Sequence, residues 1–187
     1  MLSNEQVSTI LLTGRTLYEV PERLRNADGV KYIVFSDGSG IWNRKRGIIK
    51  YEYFPVDTAR EIFDILFQYE TLIEVYSGGR PLVESEKLNP EQLNYYHIDS
   101  DFIAEMFKSR CAVKSLAALF DDKSHKTESF DVFFKYKTER AECEKRLKAV
   151  FGGICITSSL TNNLEICPPG VSKGLHSRSF AKNLGLI

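Results

Sequence analysis

Two short stretches near opposite ends of this sequence carry residue types suited to holding phosphate. Near the start, "LLTGR" puts the hydroxyl of Thr13 at the end of an apolar run, with Gly14 and Arg15 directly after it. Near the end, "LEICPPGVSKG" puts the ammonium of Lys173 on a turn between Gly170 and Gly174, again after an apolar run. A hydroxyl, backbone N–H groups at a helix start and a lysine together make a phosphate cradle. In open α/β sheets ligands sit beyond the carboxyl ends of the strands, and both stretches read as strand ends. Each alone is a weak signal, because most lysines in turns are simply solvated. Their weight comes from their order and from what separates them.

The elements that must position them follow from periodicity. "VSTILLTGR" reads as a buried strand, "RTLYEVPERLRNA" as a helix with Leu17, Val20 and Leu24 on one side, and "VKYIVFSDGSGIW" as a second strand ending in a Gly-rich turn. That is a strand–helix–strand unit, so the two strands should be parallel and buried on both faces. The composition then changes. "TAREIFDILFQYE" predicts a helix, "LIEVYSGGRPLVES" a hairpin about Gly78 and Gly79, and "DSDFIAEMFKSR" a capped helix. A strand should carry Val132, Phe134 and Tyr136 on one side. Thr138 should cap a helix with Cys143, Leu147, Val150 and Phe151 as its stripe. "GICITSSLTNNLEICP" adds two more strands, and amphipathic strands of this kind predict a sheet covered on one face only. The expected organisation is parallel α/β at 1–48 and 164–187, flanking an inserted α+β module at 49–163.

In this order and with this insertion, "LLTGR", "YIVFSDGSGIW" and "LEICPPGVSKG" closely resemble the Cof-like phosphatases of the haloacid dehalogenase (HAD) superfamily. The resemblance covers essentially the whole chain, and its late motif is the most specific part. It implies a partial Rossmann-like α/β core with a C2-type cap domain inserted over 49–163. It implies hydrolysis of small phosphorylated metabolites, such as sugar phosphates, through an aspartyl-phosphate with Mg2+ as cofactor. By the same resemblance Thr13 and Gly14 bind the phosphoryl group, and Lys173 is a catalytic residue that neutralises its charge. Arg15, Asp37 and Gly38 lie near the site. The family has asparagine where this sequence has Asp37, so the polar contact that the asparagine makes with cap or substrate is not carried over to it.

Other parts of the family's machinery are not in the sequence. The resemblance calls for a DxDGT motif upstream of "LLTGR", supplying nucleophile and acid–base aspartates, yet none of the 12 residues before Thr13 is Asp. "YIVFSDGSG" imitates only its second half and puts Phe35 in the nucleophile's place. No GDxxND motif follows "LGLI" to hold the metal, so no metal ligand is assigned. The expectation is a HAD enzyme cut at both ends and inactive as written. The alternative is a non-catalytic HAD-derived protein that binds a phosphorylated ligand or a partner.

Charge and composition narrow the remaining classes. Lys plus Arg and Asp plus Glu are both 25, so no global field attracts nucleic acid or an anionic membrane. No apolar run reaches the ~18–20 residues that span a bilayer, and "MLSNEQVSTILL" lacks the basic start of a signal peptide. A cytoplasmic location is expected. Cys111, Cys143, Cys155 and Cys167 include no CxxC pair and read as packed thiols. Asp99 to Asp101 reads as a helix N-cap. His97, His125 and His176 lack ligand spacing. Arg80, Tyr95 and Tyr96 are the residues a substrate pocket in the inserted module could recruit.

Overall fold

β1 (Thr9–Leu12) and β2 (Val30–Phe35) run parallel, as the strand–helix–strand spacing requires, in the computed structural model, which describes residues 9–171. The chain forms two units, one of residues up to Glu52 and from Gly170 onward, the other Tyr53–Pro169. Among the described residues no helix is long and apolar enough to cross a membrane.

In the first unit β3 (Gly40–Asn43) and β4 (Gly47–Tyr51) extend the sheet antiparallel, giving the order β1-β2-β3-β4. The long helix expected between β1 and β2 is reduced to one turn, α1 (Glu22–Arg25). Pro21 is the cause: its ring cannot continue a helix and it pushes the preceding residue toward extended backbone. The stretch before it folds instead around buried Thr16. The Thr16 N–H donates to Glu19 Oε2 at 2.8 Å, and the Glu19 N–H donates back to Thr16 Oγ1 at 3.4 Å. Val20, Val30, Ile33 and Phe35 form the core of this unit, with Leu11, Leu17, Trp42 and Tyr51 against it. β2 is well buried, whereas β1 is only partly so, with Leu12 45% exposed. The expectation that both strands are buried is met only over the last part of β2, Ile33–Phe35, while Lys31 is exposed and β1 is partly open. β1 ends the strand order, and β2 is its one partner among the described residues.

Phe35 pairs with Gly40 across β2 and β3, and its fully buried ring also meets Tyr51 edge-on at 5.2 Å. A Cβ at position 40 would overlap the Phe35 ring. Gly40→Ala should therefore destabilise this unit by about 1–3 kcal/mol. An unchanged urea midpoint would contradict this.

The second unit is a six-stranded sheet built from β5 (Thr71–Ser77), β6 (Arg80–Glu84), β7 (Cys111–Val113), β8 (Ser129–Phe134), β9 (Cys155–Thr157) and β10 (Asn163–Cys167). Its order is β7-β6-β5-β8-β10-β9. β10 thus lies inside this sheet, although the sequence reading placed 164 onward in the flanking core. Gly78 and Gly79 turn the β5–β6 hairpin with φ of 60° and 73°, the left-handed pair that a tight two-residue turn demands.

Contrary to the expected one-sided sheet, both faces are covered. Ile73, Val75, Phe130, Val132, Phe134, Leu164 and Ile166 pack with α2 (Val56–Leu66), α5 (Lys137–Val150) and a 3-10 turn at Ala117–Asp121. On the other face Leu72 and Phe133 meet Leu93, Tyr96, Ile98 and Met106. Those residues come from α3 (Pro90–Tyr95), α4 (Ser100–Ser109) and the link between them. The sequence reading missed α3, whose start is nonetheless written: Asn89 caps it from the Gln92 N–H, with Pro90 in the first turn. The Asp99 cap of α4 is as expected, its carboxylate accepting from the Asp101 N–H at 2.9 Å. Thr138, in contrast, lies inside the first turn of α5. Tyr136 occupies the cap position and makes no side-chain cap bond. Cys143 and Leu147 are buried as expected, but Val150 and Tyr136 are exposed.

His125 packs edge-on to Phe120 at 5.8 Å, and its Nε2 is buried with no hydrogen-bond partner. Burial pushes its pKa below the ordinary histidine value, against an opposing pull from Asp122. In the folded protein this imidazole resists a proton that the unfolded chain accepts. Its contribution is therefore fully present above the unfolded value of about 6.5 and is lost as pH falls through the lower folded value. Melting temperature should drop over that window, and His125→Phe should flatten the drop. Parallel profiles for the two proteins would count against the assignment.

Candidate functional site

Because β1 and β2 are parallel, the loops at their carboxyl ends lie side by side. The Thr13 N–H donates to the Val34 carbonyl at 3.0 Å, and the Ser36 N–H donates to the Arg15 carbonyl at 2.9 Å. These two bonds tie the Thr13–Gly14–Arg15 loop to the Ser36–Asp37–Gly38 turn. Within the loop the Arg15 N–H donates to Thr13 Oγ1 at 3.1 Å, so the Thr13 hydroxyl accepts from its own loop and keeps its proton to donate.

The turn is tight and left-handed: φ is 46° at Ser36, 53° at Asp37 and 107° at Gly38. A φ above 100° strains any residue with a Cβ, which accounts for glycine at 38. Ser36 and Asp37 hold positive φ despite their side chains, a departure that clusters at functional turns. Ser36, Gly38 and Ser39 are buried, while Thr13, Gly14 and Asp37 are partly exposed and Arg15 is exposed.

Of the residues singled out from sequence, the fold brings Thr13, Gly14, Arg15, Asp37 and Gly38 together. Lys173, and His176 with it, lie outside the described residues. Three residues of this unit were not singled out from sequence: Ser36, Thr16 and Glu19. Ser36 left no signal, since serine rarely announces positive φ. The Thr16–Glu19 pair did leave one, because T-x-x-E is the spacing of a capping box.

Mg2+ is a hard cation that takes carboxylate and water oxygens. Asp37 is the single carboxylate in the two loops, and among the described residues no group of three or more His, Cys, Asp or Glu side chains is placed to hold a metal. Among the described residues the donors present do not fit a magnesium site.

In the second unit Tyr96 is fully buried. Its hydroxyl donates to Glu70 Oε1 at 2.8 Å and accepts from Lys87 Nζ at 2.7 Å. Burial and the Glu70 carboxylate raise its pKa above the ordinary tyrosine value. Tyr95 is exposed, with Lys135 Nζ 4.2 Å from its ring centre, and Arg80 approaches Cys111 Sγ at 3.7 Å. A cavity of about 350 Å³ opens in this unit, lined by Phe63, Phe67, Tyr69, Glu70, Glu84 and Lys87 among others. None of Arg80, Tyr95 and Tyr96 lines it.

The first unit thus joins two loops at the carboxyl ends of parallel strands, and comparison with known proteins gives the chain a family. The profile of the haloacid dehalogenase-like hydrolases matches residues 1–186, and the chain belongs to that family. No curated protein sequence matches the chain. Among solved structures, a haloacid dehalogenase-like hydrolase from B. subtilis is similar over 96% of this chain and 68% of its own, with TM-score 0.76 and 18% identity. A protein of Thermotoga maritima is similar over 95% of this chain and 63% of its own, with TM-score 0.71 and 18% identity. A sugar phosphatase of HAD subclass IIB is similar over 96% and 64%, with TM-score 0.66 and 9% identity. The chain thus spans roughly two thirds of the length of these structures, in two of the three slightly less.

Proposed function

We propose that these residues are the phosphate-holding and substrate-covering part of a HAD-type phosphatase acting on small phosphorylated metabolites, sugar phosphates being the leading class. The observation that carries this reading is the joining of the Thr13–Arg15 loop to the Ser36–Gly38 turn at the carboxyl ends of two parallel strands. Thr13 Oγ1 donates its remaining proton to a phosphoryl oxygen. The Gly14 N–H, unhindered by a side chain, lets the backbone approach it. Lys173 neutralises phosphate charge, and Arg15 and Asp37 border the group. The Tyr53–Pro169 unit serves as a C2-type cap. The sugar phosphatase among the structural neighbours supports the substrate class. Aspartyl-phosphate chemistry and Mg2+ binding in such a phosphatase call for DxDGT and GDxxND, which these 187 residues do not contain, and a cytoplasmic location goes with this reading.

Titration calorimetry with inorganic phosphate tests the cradle. Thr13→Val and Lys173→Ala should each weaken binding roughly tenfold or more, the worth of a hydrogen bond to a charged group. Equal affinity across wild type and both variants would overturn the assignment.

A further inference from the structure

The register of β9 against β10 puts Cys155 directly opposite Cys167. Opposite residues of an antiparallel pair share a face, and here that is visible one step along. Thr157 is opposite Glu165, and its Oγ1 donates to Glu165 Oε2 at 2.9 Å. Opposed Cα atoms sit about 4.5–5.5 Å apart in such a ladder, inside the roughly 4.4–6.8 Å that a disulfide spans. The Cβ atoms must draw together by up to about an ångström. β9 allows it, being only three residues long and the outer strand of its sheet. Both cysteines are in the thiol form; Cys167 is 2% exposed and Cys155 partly exposed.

We propose that Cys155 and Cys167 are a reversible modification site, closed to a cross-strand disulfide by a low-molecular-weight disulfide. The Cys155 thiolate attacks one sulfur of the reagent RSSR. A mixed disulfide forms, and the released thiolate takes up the proton Cys155 lost. The Cys167 thiolate then attacks Cys155 Sγ, and the second RS− leaves and takes the proton from Cys167. Two protein thiols are oxidised by two electrons in all, and one RSSR is reduced to two RSH. The more exposed Cys155 is the sulfur that meets the reagent first. Cys167 is followed by Pro168 and Pro169, and the second unit ends at Pro169. The disulfide therefore pins the last strand where the chain leaves that unit.

The test is incubation of the native protein with oxidised glutathione, alkylation under denaturing conditions and peptide mapping without reductant. The expected product is a monomer lighter by two hydrogen atoms, with the Cys155 and Cys167 peptides joined. Dithiothreitol should reverse it, and Cys155→Ser, a mild change on an edge strand, should abolish it. Cys143, whose thiol burial pushes up to about 12, serves as the unreactive reference. Recovery of both cysteines in alkylated form would overturn the proposal. So would glutathione retained on Cys155, or a link to Cys111 or to a second chain.

Discussion

Arg110→Ala is expected to destabilise the second unit by about 3–5 kcal/mol, the usual consequence of stripping one partner from a buried ion pair. The Arg110 side chain is 2% exposed and that of Glu74 0%. Arg110 grips Glu74 with both arms, Nε to Oε1 at 2.9 Å and Nη2 to Oε2 at 3.0 Å. Nη1 donates to Ser109 Oγ at 2.8 Å, the Tyr76 hydroxyl donates to Glu74 Oε2 at 3.3 Å, and the guanidinium lies 5.0 Å from the centre of the Phe102 ring. Removing the guanidinium leaves a carboxylate in the sheet without its counter-charge. Replacing both partners, Glu74→Leu with Arg110→Met, should recover most of the loss, because an apolar pair has no desolvation to offset. Urea unfolding followed by circular dichroism measures both. A loss below about 1 kcal/mol, the range of surface pairs, would mean that water reaches Glu74.

The second large effect is on rate. The 187 residues alone, given a phosphomonoester and Mg2+, are expected to release phosphate no faster than buffer does. Thr13 and Lys173 can hold a phosphoryl group, but holding is not displacement. Positioned acid–base groups alone contribute about 10²–10⁴-fold, and covalent attack needs a nucleophile adjacent to the phosphorus. The sequence puts Phe35 where the "SDGSG" turn would otherwise offer an aspartate. Asp37, the remaining carboxylate of the turn, is preceded by no partner acid. Magnesium-dependent turnover at an enzyme-like rate by purified protein, lost in Thr13→Val, would refute this and make Asp37 the group to examine next.

What could be read from sequence was what local pattern dictates. The parallel pair β1 and β2, the Gly78–Gly79 hairpin, the Asp99 cap and the joining of the loops after β1 and β2 all follow from runs, turns and strand ends. What could not be read depended on distant partners. The Glu74–Arg110 pair joins residues 36 apart in sequence, and Glu74 looks like any outward-facing strand residue until α4 covers it. The second face of the central sheet went unread for the same reason: α3 and α4 bring Leu93, Tyr96 and Met106 onto Leu72 and Phe133. Pro21 is legible in the sequence, and its ring confines the first helix to the single turn that follows it. The left-handed Ser36 has no signature in residue type at all.

Among the described residues the apolar clusters of the two units share no member: Val20, Val30, Ile33 and Phe35 serve one, and the other draws on Phe54 to Ile166. A lineage carrying this chain can therefore rewrite the interior of one unit while the other stays as it was, since each substitution is felt only by its own neighbours. Selection then acts on each described cluster through its own packing, and the two interiors should tolerate change at different speeds within a single gene.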